Sequence, residues 1–309
     1  MKGERAMVPR ARFQPADSYY GRPVLKPPVW KPQVPFYLFT GGLAGAAAAQ
    51  ALAAHLGRNR VLERRSWMVA LAGATASPAL LITDLGRPER FLHMLRVVKP
   101  TSPMSMGSWI LAAMGAATGA AVTSELTGRF PRAGDAAKVT AGLLGPPLAT
   151  YTGVLLANTA VPVWHEARRE LPFAFAGGAA ATAGGAALIA TPVRAAGPAR
   201  RFALMGAALE TAAMLTMERR LGPLAANYHG GEAGRFARLA QVLTIAGGAT
   251  VAGWGDKRVG AAAGGAMLMA ASATTRWAVF KAGFASALDP HQAIDLQRRH
   301  GETRAATPA

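Results

Sequence analysis

Apolar segments of about 20 residues recur along this chain, and they constrain its fold more than any other feature. A helix of roughly that length crosses the hydrocarbon core of a bilayer. Eight such segments follow the polar start of the chain, at 34–56, 66–85, 107–126, 139–161, 171–191, 200–219, 236–254 and 259–280. We therefore predict an all-α integral membrane protein, with eight transmembrane helices in a bundle and both termini on the same side.

The predicted spans divide the chain into three parts. Residues 1–33 are polar and rich in proline, which favours extended backbone over helix, so we expect a strap outside the membrane. Residues 34–280 form the eight-helix domain, and residues 281–309 form a tail. The longest connections lie on the side of the two termini, which we call face A, and only short basic turns lie on the opposite face B. We expect a multi-pass protein of the bacterial cytoplasmic membrane.

Charge and histidine placement limit the chemistry. A net charge of +18 would suggest nucleic acid in a soluble protein, but we assign the basic residues, including those from 276 onward, to loops at the lipid headgroups. Membrane lipid is therefore the expected partner, and nucleic acid is not. The chain has no cysteine for an iron–sulfur cluster, and no histidine lies near the middle of a span to ligate a haem. If the chain serves redox chemistry, electrons would have to arrive from another subunit, since no haem, cluster or other metal is expected here.

Polar residues at helical spacing mark the fourth span. Tyr151, Asn158 and His165 are seven residues apart each time, or two helical turns, so we predict one shared face that reaches face A. Gln33 and Tyr37, one turn apart at the start of the first span, converge on the same depth. Such a face suits an amphipathic ligand with a hydrogen-bonding head, such as a quinone. The alternative is that these polar residues only form hydrogen bonds between neighbouring helices.

Acidic residues at depth are the candidates for proton transfer. Glu210 lies near the middle of the sixth span, and Met214 and Glu218 continue one strip of that helix toward face A. Charge at that depth usually marks a pathway or a site, whereas the alternative is a protonated structural glutamate. Asp84 ends the second span and has three possible roles. It is a boundary residue of the membrane, the ion-pair partner of Arg87, or a proton acceptor at the quinone head. His165 is a further proton-transfer candidate.

Four strings resemble the NrfD/PsrC family of polysulfide-reductase-type membrane subunits. They are 20–30 (YGRPVLKPPVW), 84–91 (DLGRPERF), 99–105 (KPTSPMS) and 151–156 (YTGVLL). A glycine-rich first span follows the first string, and the resemblance runs from about residue 18 to 290. It implies an eight-helix subunit without a cofactor of its own.

The resemblance also implies partners and roles. In that family the subunit anchors an iron–sulfur protein, usually with a molybdopterin oxidoreductase, and binds quinone near the docking face. By motif, Tyr151 matches the fourth-helix tyrosine near the quinone head, and Asp84 matches the acidic residue that ends the second helix. Where the family often carries a glutamate or histidine at the start of the first helix, this chain has Pro32 and Gln33.

The predicted function is therefore the membrane anchor of an oxidoreductase complex, without catalysis of its own. Electrons would pass between a docked ferredoxin-like iron–sulfur subunit, with its molybdopterin subunit, and menaquinone or ubiquinone, with coupled proton movement as an added option. Arg87, Arg90 and Lys99 of the long face-A loop are the expected docking residues. The alternative is a proton or small-solute transporter that uses Glu210.

Overall fold

The computed structural model of the chain describes residues 25–26, 28–85, 87, 89–292 and 294. In these residues the helices run in the order α1 (Gln33–Leu56), α2 (Arg60–Asp84), α3 (Arg90–His93), α4 (Pro103–Thr127), α5 (Pro131–Ala157), α6 (Pro162–Glu166), α7 (Leu171–Ala190), α8 (Gly197–Leu221), α9 (Gly231–Trp254) and α10 (Arg258–Leu288). All of these except α3 and α6 have at least 20 residues. No strand forms in the described part of the chain, which confirms the all-α prediction.

Several of the long helices are suited to a membrane. Six of them, α1, α2, α4, α5, α7 and α9, are long and apolar enough to cross a bilayer. The other two carry a charged residue within their apolar stretch, Glu210 in α8 and Arg276 in α10. The number of eight spans and the position of both termini on one side therefore stay predictions. The structure shows a helical protein with several apolar helices.

The long helices pack as two groups of four. α1, α2, α4 and α5 form the N-terminal group and α7 to α10 the C-terminal group, and α7 joins them because it also packs against α1 and α5. Glycines allow the closest approaches. A side chain at Gly45 of α1 or at Gly145 of α5 would overlap the carbonyl of the other, so these backbones touch. Small residues at a crossing allow this contact between helices in lipid.

The structure corrects the fourth span. α5 ends at Ala157, Asn158 caps it, and His165 lies in α6, which starts afresh at Pro162. Proline is favoured at the first position of a helix because its missing N–H has no partner there in any case. The predicted common face of Tyr151, Asn158 and His165 therefore does not form. Tyr151 is buried, whereas Asn158 and His165 are exposed.

Candidate functional site

Two buried tyrosines meet inside the N-terminal group. Tyr37 of α1 and Tyr151 of α5 are 3% and 7% exposed, and both belong to one cluster of buried residues in which their side chains interact. The Tyr151 ring lies against the backbone of Gly107 in α4, where any side chain would overlap it. Three helices thus hold the two phenol groups in place. In the sequence, the local signal of this contact is the glycine at 107, because only a residue without a side chain leaves room for the Tyr151 ring.

Buried hydroxyls surround this tyrosine pair. Ser77 of α2 donates to the carbonyl of Gly73 (2.7 Å), and its Oγ lies 2.9 Å from Oγ1 of Thr40 in α1. Thr40 follows Tyr37 by three residues, so its hydroxyl is next to the pair along α1. The tyrosines therefore lie in a layer of the helix group that also contains two hydroxyl side chains.

A groove lies between α2 and α4, and neither tyrosine is part of its walls. Its volume is about 400 Å³, and Leu71, Pro78, Leu81, Phe91, Ser108 and Leu111 are among its walls. Ser108 directly follows Gly107, so one wall of the groove adjoins the helix segment that holds the Tyr151 ring. Gly115 lies further along the groove, with open space in front of its backbone. The groove is mainly apolar and would accommodate a hydrocarbon chain.

Replacing Gly107 with alanine should displace the Tyr151 ring or α4 itself. Overpacking of this kind costs about 1–3 kcal/mol of the free energy of unfolding. The matched control is Gly115→Ala on the same helix, where nothing lies within 4 Å and alanine is the better helix former. Unfolding in detergent should separate the two variants. Equal stability of the two would contradict the contact between Gly107 and Tyr151.

Gln33 and Asp84 lie at the face-A end of this region. Oε1 of Gln33 is buried without a hydrogen-bond partner among the described residues, and such an unmet acceptor costs about 1–3 kcal/mol. Oδ1 of Asp84 accepts a hydrogen bond from the backbone N–H of Lys31 (3.3 Å), which fastens the chain ahead of α1 to the end of α2. In the described part of the chain no basic side chain lies within 4 Å of Asp84, so the ion pair with Arg87 that we considered is not formed.

The face-A loop between α2 and α4 presents three basic side chains. Arg87, Arg90 and Lys99 are all exposed. Ser105 orders the end of the loop, because its Oγ donates to the carbonyl of Val97 (2.8 Å) and accepts from the backbone N–H of Lys99 (3.0 Å). The predicted docking residues are therefore on an accessible surface.

A second polar cavity lies in the C-terminal group. Its volume is about 240 Å³, and its walls include Glu210, Met214 and Glu218 of α8, Gln241 and Thr244 of α9 and Thr275 of α10. The strip of three residues predicted on the sixth span thus lines a single cavity. Glu210 is 4% exposed, and its Oε1 has no hydrogen-bond partner among the described residues.

Arg276, which sequence analysis missed, faces this carboxylate. Its Nη1 lies 3.9 Å from Oε1 of Glu210, and the side chain is fully buried. It donates to the carbonyls of Leu38 in α1 (3.3 Å) and Phe175 in α7 (3.1 Å), so it also ties the two helix groups together. We had assigned it to a loop because it stands near the predicted end of the last span. In the structure α10 continues to Leu288.

The mouth of the cavity is toward face A. His229 Nε2 lies 3.6 Å from Oε2 of Glu218, and both side chains are partly exposed. Tyr228, in the turn between α8 and α9, is buried against Met217, and burial raises the pKa of its hydroxyl above the ordinary value. Carboxylates therefore occupy both the buried end and the open end of this cavity.

A network of buried ion pairs at face B was also missed. Lys138 Nζ in α5 lies 2.8 Å from Oε1 of Glu63 in α2 and 2.7 Å from Oε2 of Glu125 in α4. His55 Nδ1 lies 2.9 Å from the same oxygen of Glu63. Lys138 and Glu63 are 4% and 1% exposed. The network joins the ends of the four N-terminal helices, and no local sequence pattern marks it, because its members lie up to 83 residues apart.

Comparison with known proteins bears on the N-terminal group. The family model described as polysulphide reductase, NrfD, matches residues 24–121. This match supports the NrfD/PsrC family. It covers Gln33, Tyr37, Asp84 and the groove between α2 and α4, whereas Tyr151 lies beyond it. No curated protein matches the chain.

The match agrees with a multi-pass integral membrane protein, as do the several apolar helices of the chain. It also suggests quinone interaction and association with oxidoreductase subunits in general. Among the described residues, no three histidine or acidic side chains gather as a metal-ligand cluster.

Proposed function

We propose that this chain is the quinone-reactive membrane subunit of an oxidoreductase complex. The observation that carries the proposal is the buried pair of Tyr37 and Tyr151, together with an apolar groove whose wall includes Ser108, the residue after the glycine that contacts Tyr151. A quinone has carbonyl oxygens that accept hydrogen bonds and, in membranes, a long hydrocarbon tail. Phenol hydroxyls would meet the first part and the groove between α2 and α4 the second.

Three side chains would orient the quinone head. The Tyr151 hydroxyl donates to one carbonyl oxygen, with Tyr37 holding its position. Gln33 offers an amide N–H to a quinone oxygen, or its buried Oε1 accepts from the O–H of a quinol, which would satisfy the unpaired acceptor. Either menaquinone or ubiquinone meets these requirements.

Asp84 is the proposed proton carrier at the face-A end of this site. Reduction of a quinone to a quinol takes up two electrons and two protons. In this proposal both electrons come from a docked subunit, and the carboxylate of Asp84 passes protons between face A and the quinone oxygens. Quinol oxidation reverses each transfer. Asn158 and His165 are exposed beyond the end of α5, so we leave them out of this mechanism.

The partner would dock on face A. Arg87, Arg90 and Lys99 give this loop an exposed cationic surface, which complements an acidic surface on a ferredoxin-like iron–sulfur subunit. A molybdopterin oxidoreductase subunit would complete the complex and carry out the substrate chemistry. The chain described here then anchors the complex and exchanges its electrons with the membrane quinone pool.

Photolabelling with an azidoquinone tests the site without the partner subunits. The purified full chain in lipid nanodiscs should be labelled on peptides from α2 and α4 that line the groove, and excess unlabelled quinone should abolish the label. Labelling confined to α8, α9 or α10, or labelling that unlabelled quinone leaves unchanged, would remove the basis of the proposal.

A second candidate function is proton movement through the C-terminal group. The observation that favours it is Oε1 of Glu210, which has no hydrogen-bond partner among the described residues and is buried 3.9 Å from Nη1 of Arg276, in the wall of a cavity. Such a carboxylate can gain and lose a proton, and Glu218 and His229 would exchange it with face A. This function adds to quinone chemistry or, as a transporter, replaces it.

Replacing Glu210 with glutamine should reduce proton movement by at least about 10-fold, because an amide does not carry a proton in this way. The measurement is proton uptake by proteoliposomes that contain the complete complex, with quinol turnover followed in the presence of an uncoupler. Quinol turnover should stay within about twofold of wild type. Asp256→Asn, an exposed change in the turn between α9 and α10, is the control. Unchanged proton uptake in Glu210→Gln would exclude Glu210 from the pathway.

A further inference from the structure

A pocket at face B lies apart from both of these sites. It has a volume of about 630 Å³ and lies between the start of α2 and the end of α4. Its walls are the three basic residues Arg60, Arg64 and Arg65, the apolar residues Val61, Met68 and Leu126, and Glu125. The pocket therefore has a cationic side and an apolar side.

The positive charge of this pocket is not balanced by the protein. Glu63 and Glu125, the nearest carboxylates, are already paired with Lys138, and His55 also contacts Glu63. Arg60 reaches Glu63 only at 3.7 Å. In the described part of the chain, Arg64 and Arg65 have no carboxylate within 4 Å, and Arg64 acts on Glu125 only at longer range.

The position of the arginines in α2 increases this imbalance. All three lie within the first six residues of the helix, where the helix dipole already places partial positive charge. Cations are disfavoured at that end and anions are favoured. An anion bound here would interact with the guanidinium groups and the helix end together. Arginine suits phosphate in particular, because its planar fork donates two parallel hydrogen bonds.

The apolar wall indicates where such an anion comes from. Val61 and Leu126 are 45% and 58% exposed, and they stand at the ends of two helices that are apolar enough to cross a bilayer. This is the depth of the lipid headgroups, with hydrocarbon immediately beneath. We propose that the pocket binds the phosphodiester of an anionic phospholipid on the arginines, with the start of its acyl chains along Val61, Met68 and Leu126.

Lipid binding to the purified full chain tests the proposal. In native mass spectrometry, phosphatidylglycerol should bind at least about 10-fold more tightly than phosphatidylcholine. The double variant Arg64→Gln/Arg65→Gln should bind phosphatidylglycerol about 30-fold more weakly, since each basic residue at the headgroups contributes roughly 1 kcal/mol. Both side chains are exposed, so the thermal unfolding of the variant should match that of wild type.

Arg129→Gln/Arg132→Gln is the matched control. It removes two exposed arginines from the same face, next to the pocket but outside its walls, and should weaken binding less than threefold. Equal losses in the two double variants would mean general attraction to a basic surface and would overturn the site. So would displacement of the lipid by millimolar inorganic phosphate, because free phosphate would then be the ligand that the arginines recognise.

Discussion

Lys138→Met should lower the free energy of unfolding by about 3–5 kcal/mol, the usual cost of removing one partner of a buried ion pair. Lys138 is 4% exposed and is paired with both Glu63 and Glu125. Without it, two carboxylates remain close together, with His55 in contact with one of them and Arg60 and Arg64 further away. The measurement is unfolding of the purified protein in detergent by titration with a denaturing surfactant.

Two further variants give this prediction its controls. Arg132→Met removes a basic residue from the exposed first turns of the same helix, and its effect should stay within about 0.5 kcal/mol. Glu63→Gln combined with Lys138→Met should recover part of the loss, because a neutral amide then replaces the more buried of the two carboxylates. If Lys138→Met proved as stable as Arg132→Met, the network would contribute nothing to the fold.

Tyr151→Phe should lower quinone-dependent electron transfer by about 10- to 100-fold. The change removes a single hydroxyl and keeps the ring that packs on Gly107, so the fold should persist. These ratios correspond to a loss of about 1.4–2.7 kcal/mol of transition-state stabilisation, which we attribute to one lost hydrogen bond to the reacting oxygen. Turnover of the purified complex with a water-soluble quinol analogue measures the effect, with co-purification of the partner subunits as the check on assembly.

The control for Tyr151→Phe is another buried tyrosine. Tyr228 is 1% exposed in the C-terminal group, away from the proposed quinone site, and the sulfur of Met217 is the hydrogen-bond partner of its hydroxyl among the described residues. Tyr228→Phe should keep turnover within about twofold. Equal turnover in the two variants would count against a quinone at Tyr151, whereas a rise in KM with unchanged kcat would limit Tyr151 to binding.

Patterns within one helix were the most predictable part of this protein. The long helices were predictable because each apolar segment satisfies its own backbone hydrogen bonds and needs no partner to be recognised. The cavity lined by Glu210, Met214 and Glu218 was also predictable from one helix alone, because residues four apart on a helix share a face. The same argument failed for Asn158 and His165, because it assumed that the helix continued beyond Ala157.

Contacts between distant helices were not predictable. Arg276 donates to carbonyls 238 and 101 residues earlier in the chain, and Lys138 pairs with a glutamate 75 residues away. No periodicity connects such positions. Near the ends of apolar segments, a buried arginine or lysine cannot be distinguished in sequence from one that anchors a loop to headgroups, because its neighbours in space come from other helices.

The amino-acid sequence alone determined the helical membrane architecture, the resemblance to NrfD proteins and the polar residues that are candidates for function. Only the tertiary structure decided that Tyr151 meets Tyr37 over Gly107, that Glu210 faces Arg276, and that a pocket collects three arginines of α2. The physical reason is that span formation depends on the transfer of local segments into lipid, whereas a site depends on which helices pack together and at what depth.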